Sequence, residues 1–299
     1  MNGALIIDKP AGLTSHDAVA AARRLLRERS IGHLGTLDPA ATGVLPLLVG
    51  RLTRLARFFQ LRDKEYEGVV RFGWATTTYD AEGAAVGEPR PAPARAAIEA
   101  VLPEFQGVIR QIPPAYSAKK IDGKRAYQLA RAGTIVEPAP VEVEITALEL
   151  LDYSAPDLHL RVRCSTGTYM RSLAHDLGRR LGIGAHLSRL RRTRVGEFTL
   201  ADAVTLAQLE LDARQGLAAA RLLPARQLLP EMPAIVAPPE AAARLLQGRA
   251  ANLPEFSPAR RIRIFTAGGD LLAIGARVAG SLFQPELVFP PECRNIAND

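Results

Sequence analysis

Only two cysteines occur in 299 residues, Cys164 and Cys293, and they stand 129 positions apart. That spacing supports neither a disulfide framework nor a zinc site, and reduced thiols are expected. No basic region followed by a long apolar core opens the chain. Apolar runs such as residues 44–49 fall far short of the roughly 18 residues a membrane span needs, so a cytoplasmic location is expected. Motifs for several common chemistries are also missing. There is no GxxxxGK[ST], no GxSxG and no HExxH, and Gly182-Ile183-Gly184 lacks the third glycine of GxGxxG. These absences weigh against nucleotide-driven and redox-cofactor enzymes. The composition, 47% hydrophobic and 23% charged, belongs to a folded globular chain long enough for one large or two unequal domains.

The formal charge is +7, and its distribution is uneven. Arg171, Arg179, Arg180, Arg189, Arg191, Arg192 and Arg194 face one acid, Asp176, so residues 171–194 carry +6 and the rest of the chain only +1. A charge run is by default a solvated face. Here Leu173, Leu177, Leu181, Ile183, Leu187 and Leu190 fall at largely helical spacing within it. The pattern predicts arginines projecting from a firmly packed helix, an arrangement suited to a polyanion.

Alternation predicts strands at residues 5–8, 66–74, 141–151 and 158–164. Helices are expected at 15–29, with Ser15 as cap, and at 95–102, 124–132, 170–181 and 206–215. The order lacks a regular βαβ alternation, so the fold class is α+β with a large, mostly antiparallel mixed sheet flanked by helices. Prolines punctuate residues 217–238, which read as a linker between a domain at 1–216 and a small β-rich domain at 239–299.

The densest unusual segment is residues 32–50, GHLGTLDPAATGVLPLLVG. On residue statistics alone, Asp38 before Pro39 is a turn initiator. Longer matches give it another meaning. Lys9-Pro10 with Gly12, Thr14 and Ser15 fits KPxGxTS, and residues 32–43 fit GHxGxLDPxATG. Tyr66 sits in a KxY strand ahead of Gly73, Thr76, Thr78 and Asp80, and residues 111–123 (QIPPAYSAKKIDG) lead to Tyr127, Ala130, Arg131 and Gly133. Residues 164–192 fit CxxGTYxRxLxxDLGxxLGxxAHxxxLRR. In this order, over most of residues 3–196, the motifs resemble the TruB family of bacterial tRNA pseudouridine synthases, which isomerise uridine 55 in the T loop. The C-terminal strands are similar to a PUA-type RNA-binding domain.

The chemistry accounts for the residue types. Uridine becomes pseudouridine when the N1–C1′ bond breaks, the base rotates and the ring rejoins through C5, with no redox change, so no cofactor and no metal is expected. One carboxylate must attack C6 of the uracil or C1′ of the ribose. The resemblance makes Asp38 that nucleophile and Arg171 the cation that orients it. It implies that Tyr66 stacks on the flipped uracil and is a candidate for the proton transfer at C5, that Leu190 forms part of the pocket wall, and that His33 fills the space the base leaves. Asp80, Lys9, Tyr116 and Lys119 become supporting site or RNA contacts. Arg179, Arg180 and Arg192 are assigned to phosphates. The implied partner is the T stem-loop of tRNA, with no membrane, no obligatory protein partner and a monomeric chain. A non-catalytic RNA-binding or tRNA-folding protein is the competing reading, and a guide-RNA-dependent relative is a third. The joint presence of Asp38, Arg171 and Tyr66 favours catalysis.

Overall fold

The computed structural model describes residues 1–60, 62–115, 120–121, 124–125 and 138–290. Ten strands form one mixed sheet: β1 (Gly3–Lys9), β2 (Ile31–His33), β3 (Thr42–Val49), β4 (Lys64–Phe72), β5 (Gly107–Gln111), β6 (Val141–Ser154), β7 (Asp157–Cys164), β8 (Ala185–Val195), β9 (Phe198–Thr199) and β10 (Val204–Thr205). The main path runs β10-β1-β3-β8-β4-β7-β6-β5, with β2 on β3 and β9 on β8. Only the β1–β10 and β3–β8 pairs are parallel. A five-stranded sheet follows, ordered β11 (Ala234–Val236), β13 (Arg261–Phe265), β14 (Leu271–Ala279), β15 (Leu282–Val288), β12 (Ala251–Asn252).

Both faces of the large sheet are covered, which is why β1 and β3 read as unbroken apolar runs. Leu5, Ile7, Leu45 and Leu47 pack toward helices α1 (Ser15–Leu26) and α3 (Met170–Arg180), in one core with Ala18, Ala22, Leu173 and Leu177. Ala4, Ile6, Val44 and Leu48 share the opposite core with Phe265, Leu271, Ile274 and Leu287 of the small sheet. Among the described residues the remaining α-helices are α2 (Arg95–Val101), α4 (Leu206–Arg214) and α5 (Pro239–Leu246). Among the described residues no helix is long and apolar enough to cross a membrane.

Three expectations require correction. Thr14, not Ser15, caps α1: its hydroxyl accepts from the Asp17 amide at 3.1 Å, and the Asp17 carboxylate accepts from the Thr14 amide at 2.9 Å. The helix stops at Leu26 because Arg27 turns left-handed, with φ +51°. Second, the arginine-rich stretch is not one helix. It ends as a helix at Arg180, turns through Gly182 and Gly184 (φ +68° and +81°), and continues as β8, which carries Arg189, Arg191, Arg192 and Arg194. Register shifts against β4 at Leu187/Arg189 and Arg192/Arg194 break the two-residue period, so Leu187 and Leu190 fall three apart, as do Arg192 and Val195, and imitate helical spacing.

Third, residues 217–238 are not a free spacer. Leu228 and Leu229 are buried in the core between the sheets, and Ala234–Val236 is a strand of the small sheet. Arg54 donates to the Val288 carbonyl at 2.6 Å and Arg57 to the Glu286 carbonyl at 3.0 Å, tying the sheets further. Of the helix expected at 124–132, Lys124–Arg125 pairs as a two-residue strand with Lys120–Ile121, and the rest lies outside the described residues.

Candidate active site

Asp38 sits in the irregular connection between β2 and β3, and neighbouring segments anchor it on several sides. Ser15, freed from capping, accepts from the Leu37 amide at 2.8 Å and donates to the Leu37 carbonyl at 3.1 Å. Lys9 places its Nζ among the carbonyls of Leu13 (2.7 Å), Pro10 (2.9 Å) and Pro39 (3.2 Å), while the Gly12 amide also donates to Pro39. From the other side Arg192 donates to the carbonyls of Val44 (2.8 Å), Gly35 (3.1 Å) and Thr36 (3.3 Å). Gly43 permits this approach, since a Cβ there would lie 2.1 Å from the Arg192 carbonyl oxygen. The KPxGxTS segment and Arg192 therefore hold the Asp38 loop.

Lys9 is 0% exposed and Arg192 1% exposed, and both cations serve internal carbonyls: Lys9 falls on the supporting-site side of its expectation, whereas Arg192 does not stand at the surface where a phosphate contact was expected. Burial pushes the Lys9 amine below its usual range, against the opposing pull of Asp38.

The half-exposed Asp38 carboxylate receives Arg171 Nε at 3.0 Å. Arg171 lies in the first turn of α3 with its side chain only 9% exposed, and its Nη1 reaches Asp80 at 3.4 Å and the Thr78 carbonyl at 3.5 Å. Asp80 is itself fixed by the Thr78 hydroxyl at 2.5 Å and the Glu82 amide at 3.1 Å. One guanidinium thus bridges two carboxylates, which fixes its direction and leaves part of the Asp38 carboxylate open to an approaching group.

That open side faces a cavity of about 270 Å³ lined by Asp38, Tyr66, Leu190, Lys64, Arg171 and the chain at residues 166–170. Tyr66 is 7% exposed, and burial pushes its phenol upward, with Arg192 beside it opposing. Leu190 is half-buried on the adjacent strand.

Lys64 was missed among the candidate residues although it supplies the K of the KxY strand. Its Nζ donates to the Arg62 carbonyl at 2.9 Å, and burial, then Arg192, pushes the amine below its ordinary value. The fully buried Cys164 next to it has its thiol pushed up to about 11 by burial.

His33 stands at the end of β2, outside the cavity lining. Its Nδ1 accepts from the Gly35 amide at 3.3 Å, and its ring meets His16 edge-on at 5.5 Å. Burial, then His16 and Arg192, pushes its pKa down. Arg179 and Arg180 are exposed at the far end of α3, and Arg180 is engaged by Glu104 at 2.7 Å. Tyr116 and Lys119 lie outside the described residues, as does Cys293. Among the described residues no group of three or more His, Cys, Asp or Glu side chains forms a metal site.

Residues 23–170 match the family model described as TruB family pseudouridylate synthase (N terminal domain), and residues 171–238 match the tRNA pseudouridylate synthase B C-terminal domain. The chain belongs to the TruB family of pseudouridylate synthases. A protein named tRNA pseudouridine synthase B from Solibacter usitatus (strain Ellin6076) is 47% identical over 292 residues, covering 96% of this chain and 100% of that protein. Its namesake from Azoarcus sp. (strain BH72) is 44% identical over 291 residues, covering 96% and 95%.

Two solved structures share the fold. One is an H/ACA RNP bound to a substrate RNA containing 2′-deoxyuridine (TM-score 0.74, 26% identity, 97% of this chain and 85% of that chain). The other is the archaeal box H/ACA sRNP Nop10-Cbf5 complex (0.70, 28%, 97% and 86%). The two family models meet between Met170 and Arg171, inside the first turn of α3, so their junction divides no structural unit. The chain has the pseudouridine synthase fold, a large mixed sheet with helices followed by a β-rich C-terminal part.

Proposed function

We propose that this chain converts uridine to pseudouridine at position 55 in the T loop of tRNA, with Asp38 as nucleophile. The observation that carries the reading is the Asp38 carboxylate, held by a buried Arg171 at 3.0 Å on the wall of a cavity that also contains Tyr66 and Leu190. Extruding a stacked uridine costs a few kcal/mol. In the cavity, the neutral Tyr66 ring offers a stacking surface and Leu190 an apolar wall. His33, on the rim strand five residues before Asp38, fills the vacated position in the RNA.

Asp38 bonds to C6 of the uracil or C1′ of the ribose, the N1–C1′ bond breaks, the base rotates and C5 bonds to C1′. The Asp38–carbon bond breaks and returns the free carboxylate, the C5 proton is lost and N1 gains one. Arg171 aims the carboxylate for the attack. Residues 1–216 carry the chemistry, and the C-terminal part adds RNA contact. The named relatives act on tRNA, which supports that substrate, whereas the similar solved structures are ribonucleoprotein assemblies.

The test uses purified protein and an unmodified tRNA transcript alone. Pseudouridine should map to position 55 without added protein or guide RNA. Asp38→Asn should abolish it while tRNA affinity stays within about a few-fold, because the amide keeps the shape and loses the nucleophile. Appreciable turnover by that variant removes Asp38 from the role.

A further inference from the structure

Tyr79 lies between the two residues that Arg171 grips, Thr78 and Asp80, and it adopts φ +66°. That left-handed conformation is natural for glycine and uncommon for a bulky residue, so something in the fold must compensate a tyrosine placed there. The compensation is visible. The Tyr79 ring lies flat on the His175 ring, with centroids 3.8 Å apart and planes 14° from parallel.

His175 is four residues after Arg171 on α3, so the two side chains project from one helix face a turn apart. The helix therefore grips the 78–80 turn twice, by charge at Arg171 and by a ring at His175. Strand β8 supports the same turn, through the Leu187 amide to the Tyr79 carbonyl at 2.9 Å and the Ala81 amide to the Leu187 carbonyl at 3.1 Å.

The Nδ1 of His175 is buried and has no hydrogen-bond partner among the described residues. A histidine retained for hydrogen bonding would satisfy that atom. This one presents a ring face.

We propose that the Tyr79–His175 stack is a positioning device: it holds the 78–80 turn so that Asp80 and the Thr78 carbonyl keep the Arg171 guanidinium aimed at Asp38. The inference rests on the reading of Asp38 as nucleophile. Both residues act through Arg171, not on the base.

The experiment compares single-turnover rates at saturating tRNA transcript, alongside tRNA Kd, for full-length variants. His175→Ala keeps the helix, since alanine is its best former. Tyr79→Asn removes the ring while tolerating the left-handed backbone. Each should slow isomerisation by about fivefold to tenfold, with Kd changed by less than about twofold, the scale of one aromatic stack. His175→Phe keeps the stacking face and should stay within about twofold of the unmodified chain. The double variant His175→Ala with Tyr79→Asn should be no slower than the slower single, because both changes remove one interaction.

Unchanged rates in His175→Ala and Tyr79→Asn overturn the proposal. So does a His175→Phe as slow as His175→Ala, or a double variant whose losses multiply. Asp38→Asn separates the two levels: if it still turns over, the reading of the site falls and the clamp with it. If it is inactive while the ring variants run at full rate, only the clamp falls.

Discussion

Replacing Arg192 by leucine separates two roles that look alike in a list of basic residues. If its guanidinium met an RNA phosphate, the change would weaken tRNA binding and reduce the slope of log affinity against log salt by about one. The structure assigns it elsewhere, at 1% exposure, on the carbonyls of Val44, Gly35 and Thr36. Leucine leaves all three without a donor. The Val44 bond is fully buried, so its loss costs about 1–3 kcal/mol. The other two are part-buried beside the cavity, where entering water recovers some of the loss, leaving roughly 0.5–1 kcal/mol each.

Relief of the buried charge offsets part of this. The balance is roughly 2–4 kcal/mol, a fall in melting temperature of about 3–6 °C for a chain of this size. Because the Asp38 loop loses one of its anchors, the single-turnover rate should drop as well. Calorimetry and a salt titration of tRNA binding on the same preparation decide the matter: a lower melting temperature with an unchanged salt slope is expected. A melting temperature unmoved to within about 1–2 °C, together with a slope reduced by about one, would refute the internal role.

Three other outcomes follow from the same coordinates. His33 has its folded pKa below the unfolded value of 6.5, so the unfolded state takes up the proton first and stability is lost as pH falls from 6.5 through the lower folded value. Denaturant unfolding of the unmodified chain and His33→Gln across pH 7 to 5 should therefore show the gap between them shifting against the unmodified chain, and a pH-independent gap contradicts it. Cys164, buried with its thiol pushed up to about 11, should stay unlabelled by a thiol reagent at pH 8 in a Cys293→Ser background until denaturant is added, and rapid native labelling contradicts that burial. Deleting residues from 234 onward removes Phe265, Leu271, Ile274 and Leu287 from the core they share with Ile6, Val44, Leu228 and Leu229. At about 1.5–3 kcal/mol for each buried apolar side chain, the truncated chain should aggregate or melt at least 10 °C lower, and a monodisperse product of unchanged melting temperature would show that the first 233 residues fold alone.

The motifs picked out residues that the fold gathers at one cavity, because each motif is a compact pattern readable within its own segment. Asp38, Tyr66, Arg171 and Leu190 come from four separate segments, and all four line one cavity. Burial was far less legible. Lys9 and Arg192 count as positive charge in any reading of the chain, yet their partners are carbonyls, the farthest of them 30 and 157 residues away, and no local pattern announces a cation that serves backbone oxygens. The same distance effect hid the status of residues 217–238. Their prolines correctly indicated irregular chain, but Leu228 and Leu229 acquire meaning only against Ile6 and Ile274.

The arginine stretch failed for a different reason. Its apolar spacing is largely helical and does form a helix as far as Arg180, but the register shift between Leu187 and Arg189 in β8 sets Leu187 and Leu190 three apart within a strand. The strand has a consequence for the site that a continuous helix would lack. Leu190 and Arg192 lie two residues apart on β8, both lining the cavity, the first an apolar wall beside Asp38 and the second the anchor of the Asp38 loop. Arg171, at the start of α3, reaches the same carboxylate from the other direction. The turn at Gly182 and Gly184 lets one continuous segment of chain approach Asp38 from two sides, which is how a run of basic residues comes to supply both the cation paired with Asp38 and the cation that holds its loop.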